Sequence, residues 1–269
     1  MKILLSKYKL TRLIKNEKKL GFVPTMGSIH DGHISLIKKS IKMCDKTIVS
    51  IYINKPQFNN KDDFLRYPKN FKNDINIIKK LKIDYLFIPN TKQIYPSGYN
   101  KKIKINNFSK ELCGRFRAGH FNAVVDVIDR MVKIIMPHRI FLGEKDFQQL
   151  KLIEDFLLKK YKKNMVVLCK TVREKNGIAY SSRNVLLTKK EKDIASGVYK
   201  FIKKNKKKIL NKRINTKNIK NKINNLGVKK IEYLKAIDIN NIFKQNNMKK
   251  KYKIFFAYYL RNIRLIDNI

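Results

Sequence analysis

A parallel α/β sheet followed by a smaller α+β domain is the architecture this sequence predicts, and two observations carry it. Apolar, β-branched stretches of strand length recur at residues 21–24, 47–53, 84–88, 139–142 and 165–170, and several intervals between them show helical periodicity. That alternation is the signature of parallel strands joined by crossover helices. After about Thr171 the alternation stops, which divides the chain into residues 1–171 and 172–269.

The first stretch, 21–24, runs into a loop over 24–33 and then a helix through Leu36 and Ile37. Residues 71–81 place Ile75, Ile78 and Leu81 on one helical face, and 123–136 do the same with Val124, Val127, Ile128, Met131 and Ile135. Both read as crossover helices on the sheet. A further helix is expected over 147–158, after the strand at 139–142. Beyond Thr171, a loop rich in Ser and Gly leads to Thr188-Lys189-Lys190-Glu191, a capping box that starts a Lys-rich helix. Another helix near 216–226 and strands near 228–237 and 252–260 complete the second domain. The Lys- and Asn-rich stretch 203–225 keeps Ile209, Leu210, Ile214, Ile219 and Ile223, so it is expected to fold.

Composition narrows the class. With 269 residues, 43% of them apolar, the chain can bury a real core. A formal net charge of +43 would ordinarily point to a polyanion. The excess is mostly Lys, however, scattered in runs such as 203–208 and 249–251 together with abundant Asn and Ile. Nucleic-acid surfaces usually add Arg for bidentate contacts, and Arg is scarce here. No specific nucleic-acid partner is expected. Cys44, Cys113 and Cys169 are odd in number and far apart, which argues against a disulfide framework or a zinc site. The apolar patch at 3–5 is too short for a secretory segment, and the run 254–260 is too short to cross a bilayer. A cytoplasmic location with no membrane partner is the expectation.

Chemistry concentrates in Pro24-Thr25-Met26-Gly27-Ser28-Ile29-His30-Asp31-Gly32-His33, between a strand and a helix. In open α/β sheets, ligands bind at the carboxyl ends of strands, and a helix N-terminus presents N–H groups to phosphate. Two of the four histidines of the chain lie here, three residues apart, so both imidazoles can address one phosphate chain. Gly143-Glu144-Lys145-Asp146 also follows a strand and opens a helix, where Lys145 can neutralise developing phosphate charge and Asp146 can cap. Ser181-Ser182-Arg183 offers hydroxyls and a guanidinium, or a polar linker that bonds its own backbone.

H-x-G-H in this position is the signature of the nucleotidylyltransferase superfamily. Together with Asn54-Lys55-Pro56-Gln57-Phe58, Tyr67-Pro68, Arg117-Ala118-Gly119-His120-Phe121, Gly143–Leu150, Ser181–Asn184 and Arg264–Asn268, it resembles the pantothenate synthetase family in order over nearly the whole chain. The resemblance implies a Rossmann-like nucleotide- and pantoate-binding domain with a smaller C-terminal lid domain. It further implies a ligase that activates pantoate with ATP and Mg2+ as pantoyl adenylate, then joins it to β-alanine, and a homodimer. Carried over by position, His33 is the proton donor, His30 and Lys145 act at the phosphates, and ATP is bound by Met26, Gly27, Ser28, Ile29, His30, Asp31, Gly32 and His33. Gly143, Glu144, Lys145, Asp146, Val172, Tyr180, Ser181, Ser182 and Arg183 complete the ATP contacts. Gln57 and Gln149 hold pantoate, and Gln57 also holds β-alanine. His120 reads as a loop histidine packed beside Phe121, and the magnesium ligands stay open, Asp62 and Asp63 being solvated loop carboxylates.

Several positions depart from the family pattern. Lys55-Pro56 shifts a proline by one, Ala118 stands for Pro, Ala123 for Gly, Lys69 for Arg and Arg261 for Gly. The last is costly if that site requires a positive φ. These departures bear on stability and affinity, since none removes a proposed catalytic side chain.

Overall fold

The computed structural model describes residues 1–100, 103–211, 216–242 and 250–269; Ile214 and Lys249, named above, lie outside them. The chain divides into two compact units, Met1–Val172 and Arg173–Ile269.

The first unit is a six-stranded sheet of β1 (Lys2–Leu4), β2 (Leu20–Thr25), β3 (Lys46–Ile51), β4 (Tyr85–Phe87), β5 (Arg139–Gly143) and β6 (Val166–Cys169), in the order β1-β4-β3-β2-β5-β6. Every pairing is parallel. The short patch at 3–5 thus contributes an edge strand, β1, that period alone did not reveal. A three-residue strand is too brief to show alternation, and its pairing with β4 is what makes it one.

Successive strand residues point to opposite faces, so each near-continuous apolar run feeds two cores. Phe22, Ile48 and Ile140 join Leu10, Val124, Ile128, Met131 and Leu150 on one side. Val23, Val49 and Phe141 join Ile37, Ile78 and Leu86 on the other. The helices Lys7–Ile14, His120–Ile135 and Phe147–Tyr161 therefore cover one face, and Asp31–Met43 and Phe71–Lys80 cover the other. From β2 the chain steps outward through β3 and β4, then returns to place β5 on the opposite flank of β2. Strand order reverses there, and the crevice outside the carboxyl ends of β2 and β5 is where such sheets take ligands.

The second unit packs helices Lys189–Lys204 and Thr216–Asn225 on an antiparallel sheet of β7 (Lys230–Asp238), β8 (Tyr252–Leu260) and β9 (Ile263–Asn268). Its core includes Val198, Ile202, Ile219, Ile223, Ile254 and Phe256. The capping box forms as expected: Thr188 accepts from the Glu191 N–H, and Glu191 accepts from the Thr188 N–H at 2.8 Å. Arg261 occupies the turn between β8 and β9 at φ 47°, so the site does demand a left-handed residue. Its guanidinium grips Glu191, donating from Nη2 at 2.8 Å, and holds that carboxyl down at about 2. An arginine at this left-handed position therefore makes an ion pair that glycine could not. The family tail is structural in the same way: Arg264 pairs with Glu232 at 2.6 Å, and Asp267 receives both Arg173 amino groups at 2.6 and 3.0 Å.

Candidate active site

The loop after β2 is tied down before it reaches its histidines. Thr25 Oγ1 donates to the Ser50 carbonyl at 2.7 Å and accepts from the Gly27 N–H at 3.2 Å. Gly27 and Ser28 then take φ of 80° and 50°, turning the chain sharply. This turn directs the N–H groups of Ser28 and Ile29 at the carboxylate of Asp74, 2.8 and 2.7 Å away. Asp74 is 1% exposed, and a Cβ on Gly27 would come within 2.8 Å of its Oδ2. A glycine is therefore required twice over, by φ and by space. Two N–H groups of the loop expected to bind ATP are thus committed to this carboxylate. Nothing in the sequence singles out Asp74, because an acidic residue in a first helical turn is ordinary dipole chemistry.

His30 occupies the N-cap position of Asp31–Met43 without using its ring as the cap, and His33 follows one turn on. Their rings stack at 4.0 Å with planes 23° apart. Burial, followed by the field of Lys145, lowers His30 from its ordinary 6.5 to about 4. His33 is also held well below its usual value, first by burial, then by His30 and Lys145. Both imidazoles are accordingly neutral near pH 7. Among the described residues, the buried Nδ1 of His33 has no hydrogen-bond partner.

Opposite them, β5 ends at Gly143 and a tight turn, Glu144–Asp146, opens the helix Phe147–Tyr161. Lys145 Nζ lies 3.8 Å from Asp146 Oδ1, with its side chain 17% exposed. Asp146 takes the N-cap position but makes no side-chain cap bond, so the capping expected of it is absent. A Cβ on Gly143 would meet nothing within 4 Å; the protein itself does not need glycine there. The adjacent glutamines differ in burial. Gln148 is buried and holds the 108–113 segment, donating to Phe108 and Glu111 carbonyls at 2.7 and 2.8 Å and accepting from Cys113 N–H at 3.1 Å. Gln149, the next residue, is half-buried.

Gln57 reaches the same place from β3. It closes the turn Lys55–Gln57, and its Nε2 donates to the Met26 sulfur at 3.1 Å, joining the amide to the histidine loop. Its Oε1 accepts from Asn54 Nδ2 at 3.2 Å. Asn54, 1% exposed, also donates to the Ala123 carbonyl and accepts from the Tyr95 hydroxyl. The Gln57 carbonyl receives His120 Nδ1 at 2.8 Å and Arg117 Nη2 at 3.0 Å. Asn54 and Arg117 stood in recognised segments but had no assigned role; only folding shows what they touch. Among the departures, Ala118 accepts from Asn59 at 2.6 Å and Lys69 Nζ sits 4.6 Å over the Phe64 ring.

Within the second unit, Ser181 caps the turn Ser182–Leu186, its Oγ accepting from the Arg183 N–H at 3.3 Å. Ser182 is buried, while Tyr180 and Arg183 are half-buried. Half-buried Val172 ends the first unit.

A parallel sheet whose order reverses between an imidazole pair and a lysine-bearing helix start defines a nucleotide-handling α/β enzyme of the H-x-G-H class. The chain belongs to the pantoate–β-alanine ligase family, whose model matches residues 2–269. It is 38% identical over 262 residues to the pantothenate synthetase of Sulfurihydrogenibium sp. (strain YO3AOP1), covering 96% of this chain and 94% of that protein. With the pantothenate synthetase of Endomicrobium trichonymphae the identity is 37% over 260 residues, covering 96% and 92%. Among solved structures, the Francisella tularensis pantoate–β-alanine ligase complexed with β-γ ATP and β-alanine aligns with TM-score 0.86 and 35% identity over 100% of this chain and 97% of that one. A pantothenate synthetase from Thermus thermophilus aligns at TM-score 0.88 and 26% identity, covering 100% and 99%.

Proposed function

We infer that this chain joins pantoate to β-alanine with ATP through a pantoyl adenylate, and that the side chains around the β2/β5 reversal carry the reaction. In the first step a carboxylate oxygen of pantoate attacks the α-phosphorus of ATP; the bond to the bridging oxygen breaks and pyrophosphate leaves. In the second, the β-alanine amine attacks the acyl carbon, loses a proton, and expels AMP with the electron pair of the C–O bond.

The chemistry requires donors and charge rather than a protein nucleophile. His33 and His30, neutral in the free chain, each still donate one N–H, and the arriving triphosphate raises their proton affinity. A neutral donor suits the first step because it needs no prior proton uptake at pH 7. Lys145 supplies the fixed cation beside them, and the open space at Gly143 lets phosphate approach the backbone. Gln57 and Gln149 offer uncharged donors and acceptors to the hydroxyls and carboxylate of pantoate, and Gln57 also meets β-alanine. Met26, Gly27, Ser28, Ile29, Asp31, Gly32, Glu144 and Asp146 line the nucleotide side. Val172, Tyr180, Ser181, Ser182 and Arg183 are added to the ATP contacts, and residues 172–269 take the lid role, on family resemblance alone.

Mg2+ belongs with the triphosphate in this reading. Among the described residues there is no group of three His, Cys, Asp or Glu able to cage an ion. Mg2+ binds chiefly through phosphate oxygens and water with one or two carboxylates, so the donor set fits an ion that arrives on the nucleotide. There it would neutralise phosphate charge. The protein is proposed to act as a cytoplasmic homodimer; three free buried thiols and the lack, among the described residues, of a helix long and apolar enough to cross a membrane accord with that location.

The observation that carries the reading is the Gln57 contact with Met26, which joins the acid-selecting amide to the loop bearing both imidazoles. Exchange of labelled pyrophosphate into ATP, dependent on pantoate, followed by AMP release on adding β-alanine, is the expected result. Exchange supported by a different acid would replace pantoate as the substrate.

A further inference from the structure

Gln57 is held by its backbone as well as by its amide. Its carbonyl oxygen accepts from two side chains of one short segment, His120 Nδ1 at 2.8 Å and Arg117 Nη2 at 3.0 Å. Those two side chains also meet each other, Arg117 Nη1 lying 3.0 Å from His120 Nε2. A guanidinium can only donate, so Nε2 must present its lone pair and Nδ1 must carry the proton given to Gln57. The three contacts together therefore allow one tautomer of a neutral imidazole. His120 is 6% exposed, and its ring lies 4.9 Å from that of Phe121, so it is packed as well as bonded.

The same helix start grips the turn from a second side. Ala123, one turn beyond His120, accepts from Asn54 Nδ2, and Asn54 in turn donates to the Gln57 side chain. Gly119, at φ 74°, lets the chain enter the helix His120–Ile135 two residues after Arg117. The turn Lys55–Gln57 is thus clamped at backbone and side chain by residues some sixty positions away.

From this geometry we infer that His120 is a positioning residue: its Nδ1–H, with the tautomer set by Arg117, fixes where the Gln57 carboxamide meets pantoate and β-alanine. The inference rests on the reading that Gln57 binds those two substrates. A misplacement of a binding group by a fraction of an ångström is enough to weaken binding severalfold.

Isosteric replacements separate this from a packing role. In His120→Asn the amide nitrogen overlays Nδ1 and keeps the bond to the Gln57 carbonyl; in His120→Gln it overlays Nε2 and does not. The expected result is that His120→Gln raises KM for pantoate and β-alanine about tenfold, with KM for ATP changed less than about twofold, whereas His120→Asn stays within about threefold of wild type for all three. Equal impairment of both variants, an unimpaired His120→Gln, or loss of folding in both would overturn it. A 15N spectrum of the wild-type chain showing His120 protonated at Nε2 would do so too. Gln57→Ala gives the separate control. If that variant leaves both KM values unchanged, the substrate reading of Gln57 fails, and the spectrum still decides the tautomer.

Discussion

Two strand-to-helix junctions face each other across the β2/β5 reversal, and they are built on opposite plans. After β2, the backbone is consumed by the protein: Ser28 and Ile29 N–H groups go to buried Asp74, and Gly27 leaves no room for a Cβ. After β5, the junction is more open: the Asp146 side chain makes no cap bond, and a Cβ on Gly143 would meet nothing within 4 Å. The first junction spends its backbone on rigidity and offers side chains, the stacked imidazoles. The second offers a lysine beside open space. A site proposed to hold a triphosphate in one orientation gains from such a division, because one side is preorganised while the other admits the ligand.

The largest effect should come from the rigid side. His33→Ala is expected to lower pantoate-dependent pyrophosphate exchange by roughly 10²–10⁴, the loss of a positioned donor. Wild-type exchange would remove the imidazole from the chemistry. Next, Asp74→Ala strands two N–H donors and should cost about 2–4 kcal/mol in urea unfolding, with exchange reduced because the loop is released. An unchanged midpoint would show that the loop is not held by this carboxylate.

Acid should also act through the rigid side. The unfolded chain protonates its imidazoles near 6.5, whereas folded His30 does so only near 4 and His33 is likewise lowered. Between those values the unfolded state binds more protons, so stability falls as pH drops, by up to ~1.4 kcal/mol per pH unit for each group. Thermal unfolding from pH 7 to 4 measures the slope, and His30→Gln should flatten it. The smallest stability effect belongs to the open side: Gly143→Ala should shift the unfolding free energy by less than about 0.5 kcal/mol while raising KM for ATP severalfold. Lost stability with KM unchanged would mean that Gly143 serves packing instead.

Much of this was legible in the residues themselves. The strands β2 to β6 and the four long helices between them follow from apolar runs and periodicity, whereas the short helices Lys61–Leu65, Thr91–Ile94 and Cys113–Phe116 were not foreseen; the Thr188–Glu191 cap formed as its spacing required. The helix Lys7–Ile14 and the strands β1 and β9 were not foreseen, since β1 is too short for a period and β9 takes its identity from its neighbour β8. At the site, the motif residues announced themselves through rare types in tight spacing. Asp74, Asn54, Arg117 and His120 did not, because each acts on the backbone or amide of a residue far away in sequence.

Sequence alone determined the alternation of strands and helices and the family, and it nominated the imidazoles, the lysine and the amides. These depend on local periodicity and on the chemistry of side chains, both written residue by residue. Tertiary structure alone decided which N–H groups are spent, that both imidazoles are neutral, and which tautomer His120 holds. Burial, electric fields and hydrogen-bond partners are properties of neighbours in space, and those neighbours exist only once the sheet has brought β2, β3 and β5 side by side.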